Sequence, residues 1–193
     1  MNPVIDAILS RRSVRAYRPE PITAQELDTI LLAGSYAPNA NGLQNWKFTA
    51  IQKPETLQKV NAAMREALLG LPAGSDLHTK FTALIEKASD PTAEFLYCAP
   101  TYILVSHLKD AGSALADSAL AIGTMMLAAH SLGIGSCWLN QLRGLTNEPA
   151  VRRLLTELEV PENHNVYGSL GLGYPAEALP AAAPRKDVIY VIR

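Results

Sequence analysis

The sequence predicts a sandwich of helices and strands, of the α+β or α/β class. Amphipathic helical segments alternate along the chain with four or five short β-favouring runs. Residues 101–106 (TYILVS) favour β structure without interruption, which is typical of a strand buried on both faces. Residues 112–132 form a helical pattern that is small or apolar almost throughout, so this helix must be buried nearly all round. No internal repeat or linker divides the chain, and we expect one domain over residues 1–193.

The predicted helices begin and end at recognisable signals. Asn2-Pro3 is an N-cap followed by a first-turn proline, and Thr23-Ala-Gln-Glu26 is a capping box. Gly133 stands where a Schellman motif ends a helix, and Asn147 is expected as an N-cap. The helical patterns cover residues 3–10, 24–34, 54–70, a weak stretch around 81–85, 112–132 and 147–160.

The predicted strands are short and separated by polar or proline-rich segments. They cover residues 47–51, 101–106, 136–139 and 166–173, with a final β run from Val188 to Ile192. A proline- and alanine-rich arm (residues 175–184) precedes that last run. Such an arm either crosses a second subunit or straps the surface of its own subunit, and both remain open at this point.

Composition and charge exclude several classes of protein. Of 193 residues, 17 are basic and 18 acidic, so no net field would attract nucleic acid or a membrane surface. The hydrophobic share of 48% is enough for a packed core. Cys98 and Cys137 lack metal-ligand spacing and are expected as reduced thiols. Because the N-terminus also lacks a secretory leader, we expect a cytoplasmic protein.

Common catalytic and cofactor motifs do not occur in the sequence. Gly133 and Gly135 follow a helix and precede a strand, which is the reverse of the order in a dinucleotide-binding fingerprint. The four histidines show no metal-ligand spacing, and no nucleophile elbow is present. We therefore expect no metal ion and no catalytic nucleophile.

The arginine segment (residues 11–15, RRSVR) concentrates positive charge directly after the first helix. Arginines in a last helical turn interact favourably with the exposed carbonyls there. Arginine side chains also bind phosphate oxygens in pairs, and Ser13 can add a hydroxyl donor. A charged helix end and an anion site are both compatible with this pattern.

The amide loop (residues 37–46, APNANGLQNW) combines turn-forming residues with several side-chain amides. Amides donate and accept hydrogen bonds at once, as the edge of a flavin or a nucleobase requires. An ordinary asparagine-rich turn is the alternative interpretation of this segment.

Five segments together resemble the nitroreductase family of FMN-dependent oxidoreductases. They are RRSVRAY (11–17), APNANGLQNW (37–46), LAAHSLGIGSCW (127–138), LGLGYP (170–175) and PRK (184–186), in the order of the family. The chain departs from the family where Asn45 replaces a proline and where Asn140-Gln141 replaces a frequent Glu-Gly pair. The resemblance implies an α+β three-layer sandwich, with a mixed central sheet and a C-terminal arm that reaches a partner subunit.

The resemblance also implies how FMN would be held at a homodimer interface. Arg11, Ser13 and Arg185 would bind the phosphate. Arg12 would fix the ribityl end, and Arg15 would lie near the pyrimidine edge of the flavin. The other implied contacts are Pro38, Asn39, Ala40, Asn41 and Gln44 from the partner subunit, and Gly135, Ser136, Trp138, Leu139 and Asn140 along one ring face and near N5.

The activity implied by the resemblance is a ping-pong reaction. NADPH or NADH would deliver a hydride to flavin N5, and an electron-poor acceptor such as a nitroaromatic or a quinone would then be reduced. No side chain is expected to act as a general acid, since the flavin carries the redox chemistry. Two alternatives remain: a protein that sequesters or senses FMN, and a relative with different flavin chemistry.

Overall fold

The computed structural model describes residues 2–179, 181–186 and 189–192, and these contain eight α-helices and four strands. The helices are α1 (Pro3–Ser10), α2 (Ala24–Ser35), α3 (Pro54–Leu69), α4 (Asp76–Lys80), α5 (Thr82–Ala88), α6 (Ala114–Ser131), α7 (Gln141–Leu145) and α8 (Pro149–Glu157). The strands are β1 (Trp46–Ile51), β2 (Thr101–Leu108), β3 (Gly135–Leu139) and β4 (His164–Gly173). The architecture is α+β, as predicted.

The sheet has the order β1-β2-β4-β3, and each neighbouring pair is antiparallel. The parallel component of the mixed sheet that we expected is a single isolated bridge between Ser13 and Ser136. The arginine segment runs parallel to β3 but meets it at one position only. It therefore adds a bridge to the sheet rather than a further strand.

Two cores lie on opposite faces of this sheet and make the fold a three-layer sandwich. Tyr102 and Leu104 of β2 enter the core formed with α3, α5, α7 and α8. Ile103 and Val105 enter the other core, which is formed with α2 and α6. All four side chains are fully buried, which confirms that β2 is covered on both faces.

Helix α6 ends as its sequence predicts. Gly133 adopts a φ of +75°, and its N–H donates to the carbonyl of His130 at 3.0 Å. The N–H of Ile134 donates to the carbonyl of Ala129 at 2.9 Å, which completes a Schellman motif. Within the described ranges, neither α6 nor any other helix is long and apolar enough to cross a membrane.

Two helix predictions need correction. The weak pattern before residue 91 forms two short helices, α4 and α5, which meet at Phe81. The N-cap of α8 is Glu148 and not Asn147, because Pro149 is the first helical residue and favours that position. Helix α7 was not predicted at all, since its five residues are too few to show a periodic pattern.

The prediction of a final β run from Val188 to Ile192 is also wrong where the structure describes these residues. Val188 lies outside the described residues, and residues 189–192 form no strand. Ile189 and Tyr190 are 81% and 88% exposed. A β-favouring sequence needs a neighbouring strand to receive its backbone hydrogen bonds, and no described part of this chain lies alongside these residues as one.

Candidate functional site

The fold brings the arginine segment against the start of β3. The N–H of Val14 donates to the carbonyl of Ser136 at 2.9 Å, next to the Ser13–Ser136 bridge. Gly135 leaves room for Val14, because a Cβ atom at residue 135 would lie 2.8 Å from the carbon atoms of that side chain. Tyr17 adds a further support, since its hydroxyl donates to the carbonyl of Val14 at 2.6 Å. Two segments far apart in sequence thus form one structural unit.

The arginine segment contains both a helix cap and a candidate anion ligand, in two neighbouring side chains. The Arg12 guanidinium donates to the carbonyls of Leu9 and Arg11, at 2.8 and 2.6 Å, and so caps the end of α1. Arg11 is half-buried, and its Nη1 is buried without a hydrogen-bond partner among the described residues. Arg12 therefore caps the helix through Nη1, whereas Arg11 makes no described side-chain hydrogen bond and retains Nη1 for an anion.

Other unpartnered polar atoms lie along β3 and just beyond it. An unpaired buried donor or acceptor costs about 1–3 kcal/mol, so a concentration of them indicates a missing ligand. Ten buried side-chain N or O atoms lack a partner within the described part of the chain, and five of these belong to the arginine segment and to residues 136–141. They are Arg11 Nη1, Arg12 Nε, Ser136 Oγ, Trp138 Nε1 and Gln141 Oε1. Four are donors, or hydroxyls able to donate, as FMN phosphate and carbonyl oxygens require.

A small pocket of about 80 Å³ is lined by Arg12 and Ser136, two of these five residues, and is bordered by His130. The ring Nε2 of His130 lies 2.7 Å from Ser10 Oγ. Burial lowers the pKa of His130, and the positive charges of Arg11 and Arg12 lower it further. The pocket is therefore electropositive without a charged histidine. Its lining residues are Arg12, Val14, His130, Gly133, Ile134, Gly135, Ser136, Pro175 and Leu179.

Arg15 occupies a neighbouring position in the site. Its guanidinium carbon lies 5.8 Å from the centroid of the Tyr97 ring, within cation–π range. Burial raises the pKa of the Cys137 thiol, while the positive charges of Arg15 and Arg11 partly offset this. Tyr97 adopts a left-handed φ of 56°, a strained conformation for a bulky residue. No motif in the sequence marks Tyr97 as a site residue.

A larger cavity of about 490 Å³ opens where β3 ends. Asn140 is exposed there and makes no side-chain capping bond to α7. Trp138 lies at the same cavity and is half-buried, while Leu139 beside it is buried in a core. Lys80 and Phe81 complete one wall. The sequence does not mark Lys80 or Phe81 as site residues, because the weak helical pattern around them predicts only an apolar face.

The amide loop contains a 3₁₀ turn, Ala40–Gly42, and its amides divide into two groups. Asn39 serves the loop itself, because its Oδ1 accepts from the N–H of Gln44 at 3.0 Å. Asn41 and Gln44 are exposed, with φ angles of 54° and 50°, and their side chains have no described hydrogen bond. Pro38 is also exposed. The turn interpretation thus fits Asn39, whereas the exposed amides of Asn41 and Gln44 remain available to a ligand or a partner.

The amide loop and the arginine segment lie at opposite ends of α6. The loop is held by Asp117 in the first turn, while Arg11 and Arg12 face His130 in the last turn. Asp117 and His130 are thirteen residues apart in α6, which corresponds to roughly 20 Å along the helix axis. Arg185 is also apart, in the exposed arm, and no described hydrogen bond or ion pair joins it to other residues. One subunit therefore does not bring all the predicted contacts to one place.

Comparison with known proteins identifies the family. The model of the nitroreductase family matches residues 8–174. The chain belongs to the nitroreductase family. The resemblance inferred from the five sequence segments is thereby confirmed, and the matched region includes the arginine segment, the amide loop and all four strands.

Individual members of the nitroreductase family are similar over most of their length. A crystal structure of a nitroreductase with bound FMN from Bacteroides fragilis covers all of both chains, with 38% identity and a TM-score of 0.91. An FMN reductase (NADPH) of Bacillus subtilis is 25% identical in an alignment of 198 positions that covers 98% of this chain and 73% of that protein. An iodotyrosine deiodinase of Haliscomenobacter hydrossis is 26% identical in an alignment of 191 positions that covers 92% of this chain and 82% of that protein.

Proposed function

We propose that this chain is an FMN-dependent oxidoreductase that uses NADPH or NADH to reduce an electron-poor acceptor, such as a nitroaromatic or a quinone. The observation that carries the proposal is the buried, unpartnered Nη1 of Arg11 beside the Ser13–Ser136 bridge. The bound FMN of the Bacteroides fragilis nitroreductase supports the same cofactor here. We propose a single FMN-binding domain, and the free thiols of Cys98 and Cys137 favour a cytoplasmic location.

The residues of this chain would hold FMN in the roles stated above. Arg11 and Ser13, joined by Arg185 from the arm, would bind the phosphate. Arg12 would reach the ribityl end through its free Nε, and Arg15 would place its charge near the pyrimidine edge. The residues of β3 and Asn140 would line the ring. Bound FMN would supply hydride acceptance and release at N5, in a ping-pong order.

Tyr17, Cys137 and His130 lie around the arginine segment and are held in neutral forms at neutral pH. Burial raises the pKa of Tyr17 and the pKa of Cys137, and burial lowers the pKa of His130. None of them is therefore suited to exchange a proton near pH 7. This supports a mechanism in which the flavin carries the redox chemistry and these three side chains do not act as acids or bases.

The visible spectrum of the purified protein tests this function. We expect a flavin spectrum, retained or restored by incubation with FMN, that bleaches when NADPH or NADH is added without oxygen. Oxygen-free addition of a quinone or a nitroaromatic should then restore the oxidised spectrum. Bound flavin that stays oxidised with both nucleotides would favour a protein that sequesters FMN. A protein that takes up no flavin would contradict the proposal.

We further propose that the protein is a homodimer with FMN at its interface. Helix α1 has no buried residue, and its apolar side chains Val4, Ile5, Ile8 and Leu9 are 43–64% exposed. Helix α1 contacts mainly α6, where Ser10 Oγ lies 2.7 Å from His130 Nε2. Since short helices are stabilised mainly by packing, the exposed apolar side chains favour a second surface that covers them. The amide loop and the arginine segment of one subunit are also separated by roughly 20 Å along α6. The amide loop of a partner subunit would therefore complete the site.

Replacing Ile8 by glutamate should convert the dimer to a monomer. The substitution places a charge in the centre of the exposed apolar face of α1, where Ile8 is 48% exposed. Light scattering coupled to gel filtration would report the mass, and FMN affinity should fall with it. Leu69→Glu is the matched control, since Leu69 is 52% exposed at the end of α3, on the other face of the sheet. A monomeric wild type, or an Ile8→Glu variant with unchanged mass, would exclude this interface.

A further inference from the structure

The carboxylate of Asp117 joins three parts of the protein. Its Oδ1 accepts from the backbone N–H of Ala40, at 3.1 Å, in the amide loop. Its Oδ2 accepts from Ser113 Oγ at 2.7 Å and lies 3.5 Å from Nε2 of His107. Asp117 and His107 are both buried, with side chains 8% and 2% exposed. One buried carboxylate thus connects α6, β2 and the loop.

The hydrogen bond from Ala40 to Asp117 is made at the first residue of the 3₁₀ turn in the amide loop. Ala40 begins the 3₁₀ turn, and Asn41 follows it with a left-handed φ of 54°. The other described side-chain hydrogen bonds of the loop are internal, since Asn39 bonds to Gln44 and to Ala37. Among the described hydrogen bonds, the one to Asp117 is therefore the side-chain link between the turn and the body of the protein.

Burial of Asp117 is not explained by helix stability alone. An acid in the first turn of a helix interacts well with the helix dipole while exposed, as Glu55 of α3 does. Burying a carboxylate costs several kcal/mol unless hydrogen bonds compensate for it. Here Ser113 and His107 face Oδ2, and the N–H of Ala40 in the loop is the described donor to Oδ1, so the loop must be in place for both carboxylate oxygens to be satisfied.

We propose that Asp117 is a positioning residue for cofactor binding, which orients the amide loop so that Asn41 and Gln44 point outward to FMN held by the partner subunit. This inference rests on the proposed function. Asp117 touches neither the cofactor nor the substrate, and it acts through the backbone of Ala40. The register of β1 reinforces the arrangement, because Trp46, at the end of the loop, pairs with His107.

The test compares Asp117→Ala with Ala40→Pro. The alanine removes the acceptor, whereas proline removes only the donor N–H and leaves Asp117 with Ser113 and His107. Proline suits the first position of a helical turn, and Asn39 before it is already extended, with φ −150° and ψ 158°. Each variant should weaken FMN binding by up to roughly 100-fold, because one charge-assisted hydrogen bond is the most that the loop can lose in ordering free energy. The double variant should be no weaker than either single variant, because both remove the same bond.

Two further measurements separate positioning from general stability. Riboflavin affinity should fall as much as FMN affinity, because the loop is assigned to the flavin ring and not to the phosphate. Amide hydrogen exchange should accelerate in residues 37–46 of both variants, while the β2–β4 ladder stays protected. Asp117→Asn keeps an oxygen acceptor for Ala40 and should therefore retain most of the FMN affinity. Glu55→Ala should change neither FMN affinity nor hydrogen exchange in residues 37–46.

The outcomes distinguish a failure of the positioning role of Asp117 from a failure of the proposed FMN-dependent function. If the wild type binds FMN but both variants keep wild-type affinity, or if their effects add, Asp117 does not act through the loop. If hydrogen exchange in residues 37–46 is unchanged, the positioning role is likewise excluded. A wild type that binds no flavin refutes the proposed function and, with it, the cofactor role of Asp117, whereas the exchange measurement still reports whether Asp117 orders the loop.

Discussion

Replacing Arg11 by alanine is expected to weaken FMN binding roughly 10- to 100-fold, since hydrogen bonds to charged groups contribute about 1.5–3 kcal/mol. Arg11 is the half-buried arginine whose Nη1 has no partner among the described residues, so its donor is available to phosphate. The folded protein should lose little stability, because the variant removes an unsatisfied buried group. Fluorescence titration with FMN measures the affinity, and thermal unfolding of the apoprotein measures the stability.

Riboflavin gives the sharpest control for Arg11, because it lacks the phosphate. Its affinity should be nearly the same in Arg11→Ala and in the wild type, the reverse of what we expect for Asp117. Arg153→Ala is the matched arginine control, since Arg153 is 61% exposed in a surface ion pair with Glu66. Equal losses for FMN and riboflavin would place Arg11 at the ring and not at the phosphate.

Gly135→Ala is expected to lower both stability and FMN affinity. The added Cβ would lie 2.8 Å from the side-chain carbons of Val14, so the arginine segment must shift away from β3. Overpacking of this kind costs about 1–3 kcal/mol. The shift would also disturb the hydrogen bond from the Val14 N–H to the Ser136 carbonyl, which is 2.9 Å long and aligns Ser13 and Arg11. Chemical unfolding and FMN titration measure the two effects.

Gly123→Ala is the matched control for this substitution. Gly123 lies within α6, and a Cβ there would meet nothing within 4 Å. Alanine should stabilise the helix by up to about 1 kcal/mol, with no change in FMN affinity. If Gly135→Ala behaves like Gly123→Ala, the contact with Val14 does not hold the arginine segment in place.

The elements that depend on nearby residues could be predicted from the sequence. The capping box at Thr23 and the Schellman motif at Gly133 are both present, because each is closed by hydrogen bonds over a few residues. The burial of β2 on both faces also followed from its composition. Short helices such as α7 and the run ending at Ile192 could not be predicted, since packing and strand partners decide them.

The candidate site shows the same division. The sequence by itself determined the family, the arginine segment and the amide loop, because residue type and spacing carry that information. Only the three-dimensional structure decided that Arg12 caps α1 through Nη1 while Nη1 of Arg11 stays unpartnered, because the two side chains have the same chemistry and differ only in which carbonyls they reach. It also decided that Asp117 holds the amide loop, a contact between residues 77 positions apart that exists only once α6 is packed against the sheet.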